Sequence, residues 1–303
     1  MQNPDSNKFC GQCGSKLEVN NKCPKCGTTF PSEGIFCPEC GTRVRVEQIE
    51  KDRTSGMDTC HNELEFVIGS CRFKMIKVEG GTFTMGATKE QRKDALPWEC
   101  PAHQVTLTDD YYIGQTEVSQ ALWKAVMGNN PSYFKGDHFP VTNVSWYDSQ
   151  TFIEELTSLL SNELGGKRFA LPTEAQWEFA ARGGNQSKGY KYAGSNNIDA
   201  VAWCRDNSGD RTHPVAQKQP NELGLYDMSG NVWEWCQDWY GDYSSNAQTN
   251  PLSSPSDPSN PYRVHRGGSW VEDAKDCRVS FRRSSAPGER GSRAHGFRLC
   301  LLL

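Results

Sequence analysis

The chain has 303 residues and a formal net charge of −4, enough sequence for one large domain and a small one. No apolar run reaches 18 residues, so no membrane-spanning helix is expected, and the acidic balance argues against a general nucleic-acid binder. Thirteen cysteines follow an N-terminus without a charged and apolar leader, so a reducing, cytoplasmic compartment is expected.

The chain opens with three Cys-x-x-Cys knuckles, Cys10/Cys13, Cys23/Cys26 and Cys37/Cys40, each followed by glycine (Gly14, Gly27 and Gly41). Two such knuckles supply the four thiolates of a tetrahedral zinc, and the glycines let backbone N–H groups approach the sulfurs. We therefore expect a zinc ribbon over residues 1–44, folded by its metal. Six thiols are two short of two full sites, so Cys37 and Cys40 need completion by Cys60 and His61 or by another chain. Residues 45–65 are polar, with Thr54-Ser55-Gly56 in their middle, and are expected to be a linker. Residues 66–303 form the large domain.

Alternation over Phe73–Val78 predicts a strand, broken at Gly80-Gly81 and resumed over Thr82–Gly86. Further strands are expected at Gln104–Thr108 and Tyr111–Gly114. Ser119 is placed to cap a helix over Gln120–Met127, stopped by Gly128. Ser145 caps a second from Trp146 towards Asn162, and Thr173 with Gln176 makes a capping box for a third that stops at Gly183-Gly184. From there to about Pro261 the chain reads as loops interleaved with aromatic runs such as Val232–Trp235. Buried aromatics and bound cations are the usual means of fixing such loops. From Arg263 to Arg298 there are nine basic residues and four acidic ones. They either face an anionic ligand or pair with the acidic remainder of the fold, and pairing is the favoured expectation. The six histidines are isolated in sequence, with none of the spacing that a His/carboxylate iron site requires.

Several ordered segments carry a family resemblance. They are Gly80–Gly86, Pro140–Trp146, Leu171–Glu178, Gly224–Trp235, Arg266–Trp270 and Gly296–Arg298. From about Phe73 to Leu303 the chain resembles the formylglycine-generating enzyme, or sulfatase-modifying-factor, family. The resemblance implies an α+β, C-type-lectin-like fold low in regular secondary structure. It implies an active site of two cysteines that bind copper and oxidise a substrate cysteine. Aligned on Arg266–Trp270, the second falls on Cys277 and the first on Glu272, with Ser269 a further candidate; Cys236 or Cys300 would have to approach Cys277 in space to restore a pair. A carboxylate is a hard ligand and does not replace a thiolate at two-coordinate copper(I), so copper is not expected. The resemblance also implies a calcium site of Asp227, the carbonyls of Gly230 and Val232, and Glu234, a hard-oxygen set suited to Ca²⁺; the alternative is that Asp227 caps a turn and Glu234 pairs with an arginine. The segment Phe281–His295 resembles the variable ligand-binding segment of retroelement-diversified proteins on this fold. The expected function is thus a non-catalytic module binding a protein or peptide at its C-terminal loop surface, with neither nucleic acid nor membrane as partner. The rivals are a formylglycine-generating oxidase, or a related oxidation of a protein cysteine, and a diversified binding protein.

Overall fold

A computed structural model describes residues 62–254, 261–290 and 292–303. The chain divides into two compact units, Met1–Asp58 and Thr59–Leu303, and the described residues all belong to the second. The six ribbon cysteines, Cys60 and His61 lie outside the described residues.

The unit begins with strands β1 (Glu63–Ile68), β2 (Cys71–Val78), β3 (Gly81–Met85), β4 (His103–Leu107) and β5 (Tyr111–Gly114). β1 starts inside the stretch read as linker, and its alternation sends Phe66 and Ile68 inward. Helix α1 (Gln120–Met127) follows, with the Ser119 hydroxyl accepting from the Leu122 amide and Gly128 closing the last turn at φ 75°. Helix α2 (Trp146–Leu159) carries a capping box of Ser145 and Asp148 and stops at Leu160, short of the expected end; a single turn, α3 (Ser161–Leu164), continues it at an angle to the ladder. After β6 (Arg168–Ala170), helix α4 (Glu174–Ala181) shows the reciprocal Thr173–Gln176 capping box.

The region beyond Gly184 is more regular than its composition suggests. It holds α5 (Ile198–Val201), β7 (Trp233–Trp239), β8 (Gln248–Thr249), β9 (Arg263–Arg266), β10 (Arg282–Ser285), β11 (His295–Gly296) and β12 (Cys300–Leu302). Among the described residues the strands make three sheets. An antiparallel sheet runs β1-β2-β5-β12-β6, so the last strand of the chain is paired on both edges beside strands from near the start of the unit. A second runs β10-β9-β7-β11, with only β11 parallel to its neighbour. The third is β3-β4-β8.

Helix α4 sits at the centre and packs on β3, β7 and β9. Its Trp177 and Phe179 are fully buried with Val105, Ile113, Val264 and Cys300 in the main apolar core. Four of the buried arginines of the described residues are paired with buried carboxylates. Arg298 forks onto Glu234 at 2.6 and 2.7 Å, Arg282 onto Glu174 at 2.6 and 2.7 Å, and Arg278 onto Glu99 at 2.6 and 2.8 Å; Arg266 pairs with Glu178. The basic excess of the C-terminal segment therefore resolves largely into internal pairing. A buried fork of this kind leaves an unpaired charge when one partner is removed, which costs about 3–5 kcal/mol. Arg298→Met is expected to lower the unfolding free energy by about that amount in a urea titration. Lys74→Met, which breaks the exposed 2.9 Å pair with Glu63, is expected to leave the midpoint unmoved.

Candidate functional site

Two neighbouring groups of side chains carry the chemistry. The first is acidic and buried. The loop Gly224–Asn231 is turned by left-handed residues, with Asp227 at φ 58°, Gly230 at φ 80° and Asn231 at φ 59°. Gly230 is held so close to the Trp203 carbonyl that a Cβ would lie 2.3 Å from it, so no other residue fits. This turn brings Asp227 beside Glu117 and Glu234. Glu117 accepts from the Asn231 side-chain amide at 2.8 Å and from the Val232 backbone at 3.1 Å. Burial, and then the Asp227 and Glu234 carboxylates, push its carboxyl well above the usual range. Glu117 also lines a cavity of about 300 Å³ with Gln115, Thr116 and His138.

Asp227 accepts from the Ala216 amide through Oδ2 at 2.7 Å, while its buried Oδ1 has no hydrogen-bond partner. Burial pushes its carboxyl up to about 6, against the pull of the Ala216 amide and Arg298. Glu234 Oε2 accepts from Trp177 Nε1 and Arg298 Nε, and Oε1 from Arg298 Nη2. The arginine partner weighed for Glu234 is therefore present. Oε1 keeps a lone pair, and like the free Oδ1 of Asp227 and the backbone carbonyls of Gly230 and Val232 it is a hard oxygen donor, the class of ligand calcium takes. Among the described residues no three His, Cys, Asp or Glu side chains cluster as a metal site, so any such site depends on the carbonyls of Gly230 and Val232.

The second group surrounds Cys277. Gly268, at φ 74°, lies against it, and a Cβ there would be 2.7 Å from the Cys277 sulfur. The Ser269 backbone amide faces the same sulfur, while the buried Ser269 hydroxyl has no partner. Cys277 is fully buried, and burial, followed by Cys204, Asp276 and Glu272, pushes its thiol well up. Cys236 and Cys300 belong to the main core, away from this cluster. The cysteine that shares an apolar cluster with Cys277 is instead Cys204, together with Tyr192 and Val201. Sequence distance concealed this, since 73 positions separate the two. Their segments are braced by the Arg205 amide and guanidinium, which donate to the carbonyls of Glu272 and Val271, both at 2.9 Å. Glu272 is turned to other partners: its Oε1 accepts from Trp233 Nε1 and from Arg283 Nη1, each at 3.3 Å.

Trp233, Trp270 and Phe281 pack together above this point with Phe134 and Val271. Beneath, the rings of His265 and His295 lie 4.6 Å apart and flank Trp235. Burial holds His295 down to about 4 and His265 well below its usual value, the latter also opposed by His295 and Arg283. These two histidines are distant in sequence, and only the pairing of β9 and β11 with β7 joins them. A cavity of about 380 Å³ is lined by Glu174, Asp238, Tyr243 and Arg282, which hydrogen-bond among themselves and to nearby backbone.

Among the described residues no helix is long and apolar enough to cross a membrane. Residues 70–302 match the Sulfatase-modifying factor enzyme 1-like domain, and residues 1–41 match the Double zinc ribbon. The "Chaperone protein LppX" of Paenibacillus barcinonensis is 35% identical over 253 residues, covering 68% of this chain and 82% of that protein. The "Formylglycine-generating enzyme" of Thermomonospora curvata is 35% identical over 204 residues, covering 60% of this chain and 61% of the relative, so the match spans about three fifths of each. Among solved structures, Treponema denticola variable protein 1 superposes with a TM-score of 0.70 at 33% identity, covering 80% of this chain and 99% of that one. The chain thus belongs to the sulfatase-modifying-factor, or formylglycine-generating enzyme, family, with a double zinc ribbon at its N-terminal end.

Proposed function

We propose that this protein is a non-catalytic ligand-binding module of the family. Its zinc ribbon would be held by Cys10, Cys13, Cys23, Cys26, Cys37 and Cys40, and its binding surface built by the C-terminal loops around Trp233, Trp270 and Arg283. The observation that carries the reading is Glu272. It stands where the family's first catalytic thiolate belongs, and its carboxylate is engaged by Arg283 and Trp233. A chaperone protein and a variable protein among the relatives agree with a family scaffold put to uses other than cysteine oxidation. A cytoplasmic setting is part of the same proposal, as expected from cysteine usage without a leader.

The rival oxidase reading has one observation in its favour: Cys204 lies beside Cys277 and offers a second thiol of different origin. Two thiolates bind Cu(I) well. The readings separate in a Cu(I) titration of the full-length protein against a competing chelator, followed by mass spectrometry of a cysteine peptide incubated with the protein in air. A binding module leaves the peptide unoxidised and takes up no stoichiometric copper. Stoichiometric uptake lost in both Cys204→Ser and Cys277→Ser, with peptide oxidation, would establish the oxidase instead. Elemental analysis of the same preparation is expected to return zinc.

We also propose that Asp227, Gly230, Val232 and Glu234 hold calcium. The sign of an Asp227→Asn effect tests this. A folded-state pKa near 6 against an ordinary 3.8 means that the native state retains the proton longer than the unfolded chain. In EDTA the stabilising contribution is therefore complete below pH 3.8 and disappears as pH rises through about 6. Above that pH the ionised, buried carboxylate is a penalty on the order of 2–3 kcal/mol. Asp227→Asn is thus expected to raise the melting temperature at pH 7 in EDTA and to lower it relative to wild type in millimolar calcium, where the anion is needed. Asp238, also pushed up to about 6 by burial and by Glu174, titrates in both proteins and cancels in the comparison. An unchanged order in the two buffers would count against calcium.

A further inference from the structure

The C-terminal surface carries a repeated device that internal pairing does not consume. Tyr133, Phe134 and Trp270 form a chain of edge-to-face rings, with centroids 5.0 and 5.6 Å apart. Three exposed arginines lie over aromatic rings of this patch. Arg293 sits 3.7 Å from the Tyr133 centroid. Arg211 sits 5.9 Å from that of Phe134, and Arg283 5.7 Å from that of Trp233. Trp270 Nε1 donates to the Arg293 carbonyl at 3.1 Å, which fixes that segment to the ring chain.

A guanidinium held over a ring at these distances keeps N–H donors free of the ring, and a carboxylate can take two of them in parallel bonds. Arg211 and Arg293 have no carboxylate within ion-pair distance among the described residues, unlike the buried arginines of the core. Arg283 has one, the Glu272 carboxylate at 3.3 Å, in a half-exposed pair that a competing carboxylate can replace at little cost. The rings beneath add apolar area that lowers the local dielectric and strengthens such bonds.

Resting on the binding-module reading, we infer that this surface recognises an acidic segment of a partner protein. Successive Asp or Glu carboxylates of the segment fork onto Arg211, Arg293 and Arg283, and its backbone or apolar side chains lie on Tyr133 and Phe134. A protein segment is favoured over nucleic acid because the acidic Glu272 and Asp273 stand among the arginines and the chain carries a net charge of −4, a poor match for a continuous polyanion.

The experiment is fluorescence anisotropy on the full-length, zinc-loaded protein. Four labelled probes are used: a Glu-rich peptide, its Lys-rich and Ser-rich counterparts of equal length, and a single-stranded DNA of equal charge to the Glu-rich peptide. The acidic peptide is expected to bind selectively and to weaken with salt. Arg211→Ala and Arg293→Ala, both exposed and checked for an unchanged melting temperature, each weaken it about tenfold. Glu272→Gln tightens it by freeing Arg283. Binding of the Ser-rich or Lys-rich peptide that is lost in Tyr133→Ala would overturn the acidic partner while keeping a peptide surface. Tighter binding of the DNA overturns the choice of a protein, and no binding of any probe overturns the inference outright. Failure of the module reading is recognised separately, by copper-dependent oxidation of the cysteine peptide whatever the anisotropy shows.

Discussion

The fold depends on buried guanidinium groups that hold irregular backbone in place. Arg298 is the plainest case. It forks onto Glu234 of β7, and its remaining donors reach the carbonyls of Gly114 at the end of β5 and Tyr226 in the loop before β7, both at 2.9 Å. Glu234 in turn receives Trp177 Nε1 from α4. One ion pair thus ties two sheets, the central helix and a loop. A loop-rich interior has carbonyls that no ladder satisfies, and a buried carbonyl without a donor is costly. Arg266 meets the same need at Val279 and Ser280, and Arg282 at Gly241. In each case the carboxylate neutralises the charge while the outer N–H groups complete the backbone. Apolar residues of equal volume would fill the space but leave those carbonyls bare.

This internal use of charge shapes the outer surface. Strand β10 shows the division within two residues: Arg282 points inward to Glu174, whereas Arg283 points outward over Trp233 and Phe281. The period of two that separates the faces of a strand therefore sorts adjacent arginines into structural and surface roles. The composition of the segment is basic throughout, but only the outward set bears on a ligand. The inward set explains why a high local count of arginines coexists with an overall acidic chain.

The helix starts were legible because capping is local chemistry. Ser119, Ser145 and Thr173 each accept the N3 backbone hydrogen bond that their spacing predicts. The family segments made the fold class legible as well, and residues 70–302 match the family as expected. β7, β9 and β10 were not read as strands, and the reason is physical. Glu234, His265, Arg266 and Arg282 are buried, so the alternation of polar and apolar residues that marks a half-buried strand is scrambled by charged groups facing the core. At the candidate site, Asp227 and Glu234 were visible in one short segment, whereas Glu117 was not. It enters from the loop before α1, and neither its sequence neighbours nor its spacing indicates that it meets the Asn231 and Val232 amides. Cys204 escaped for the same reason: its relation to Cys277 exists only once the 203–208 loop is braced against Glu272.

On the proposed reading, a carboxylate in place of a thiolate at position 272 does more than remove a ligand. A carboxylate needs compensation that a thiol does not, and here Arg283 and the Trp233 indole supply it. These contacts tie the Glu272 carboxylate to β7 and β10 while its charge still acts on the Cys277 thiol. Cys277 is left beneath Gly268, fully buried, with a thiol that burial holds protonated. A protonated thiol without solvent contact is a poor nucleophile. Arg211, Arg283 and Arg293 are by contrast exposed, and of the three Arg283 is held by the Glu272 carboxylate. On the proposed reading, the residue that departs from the oxidase pattern is also the carboxylate an acidic ligand would displace from Arg283, since the two are paired at 3.3 Å.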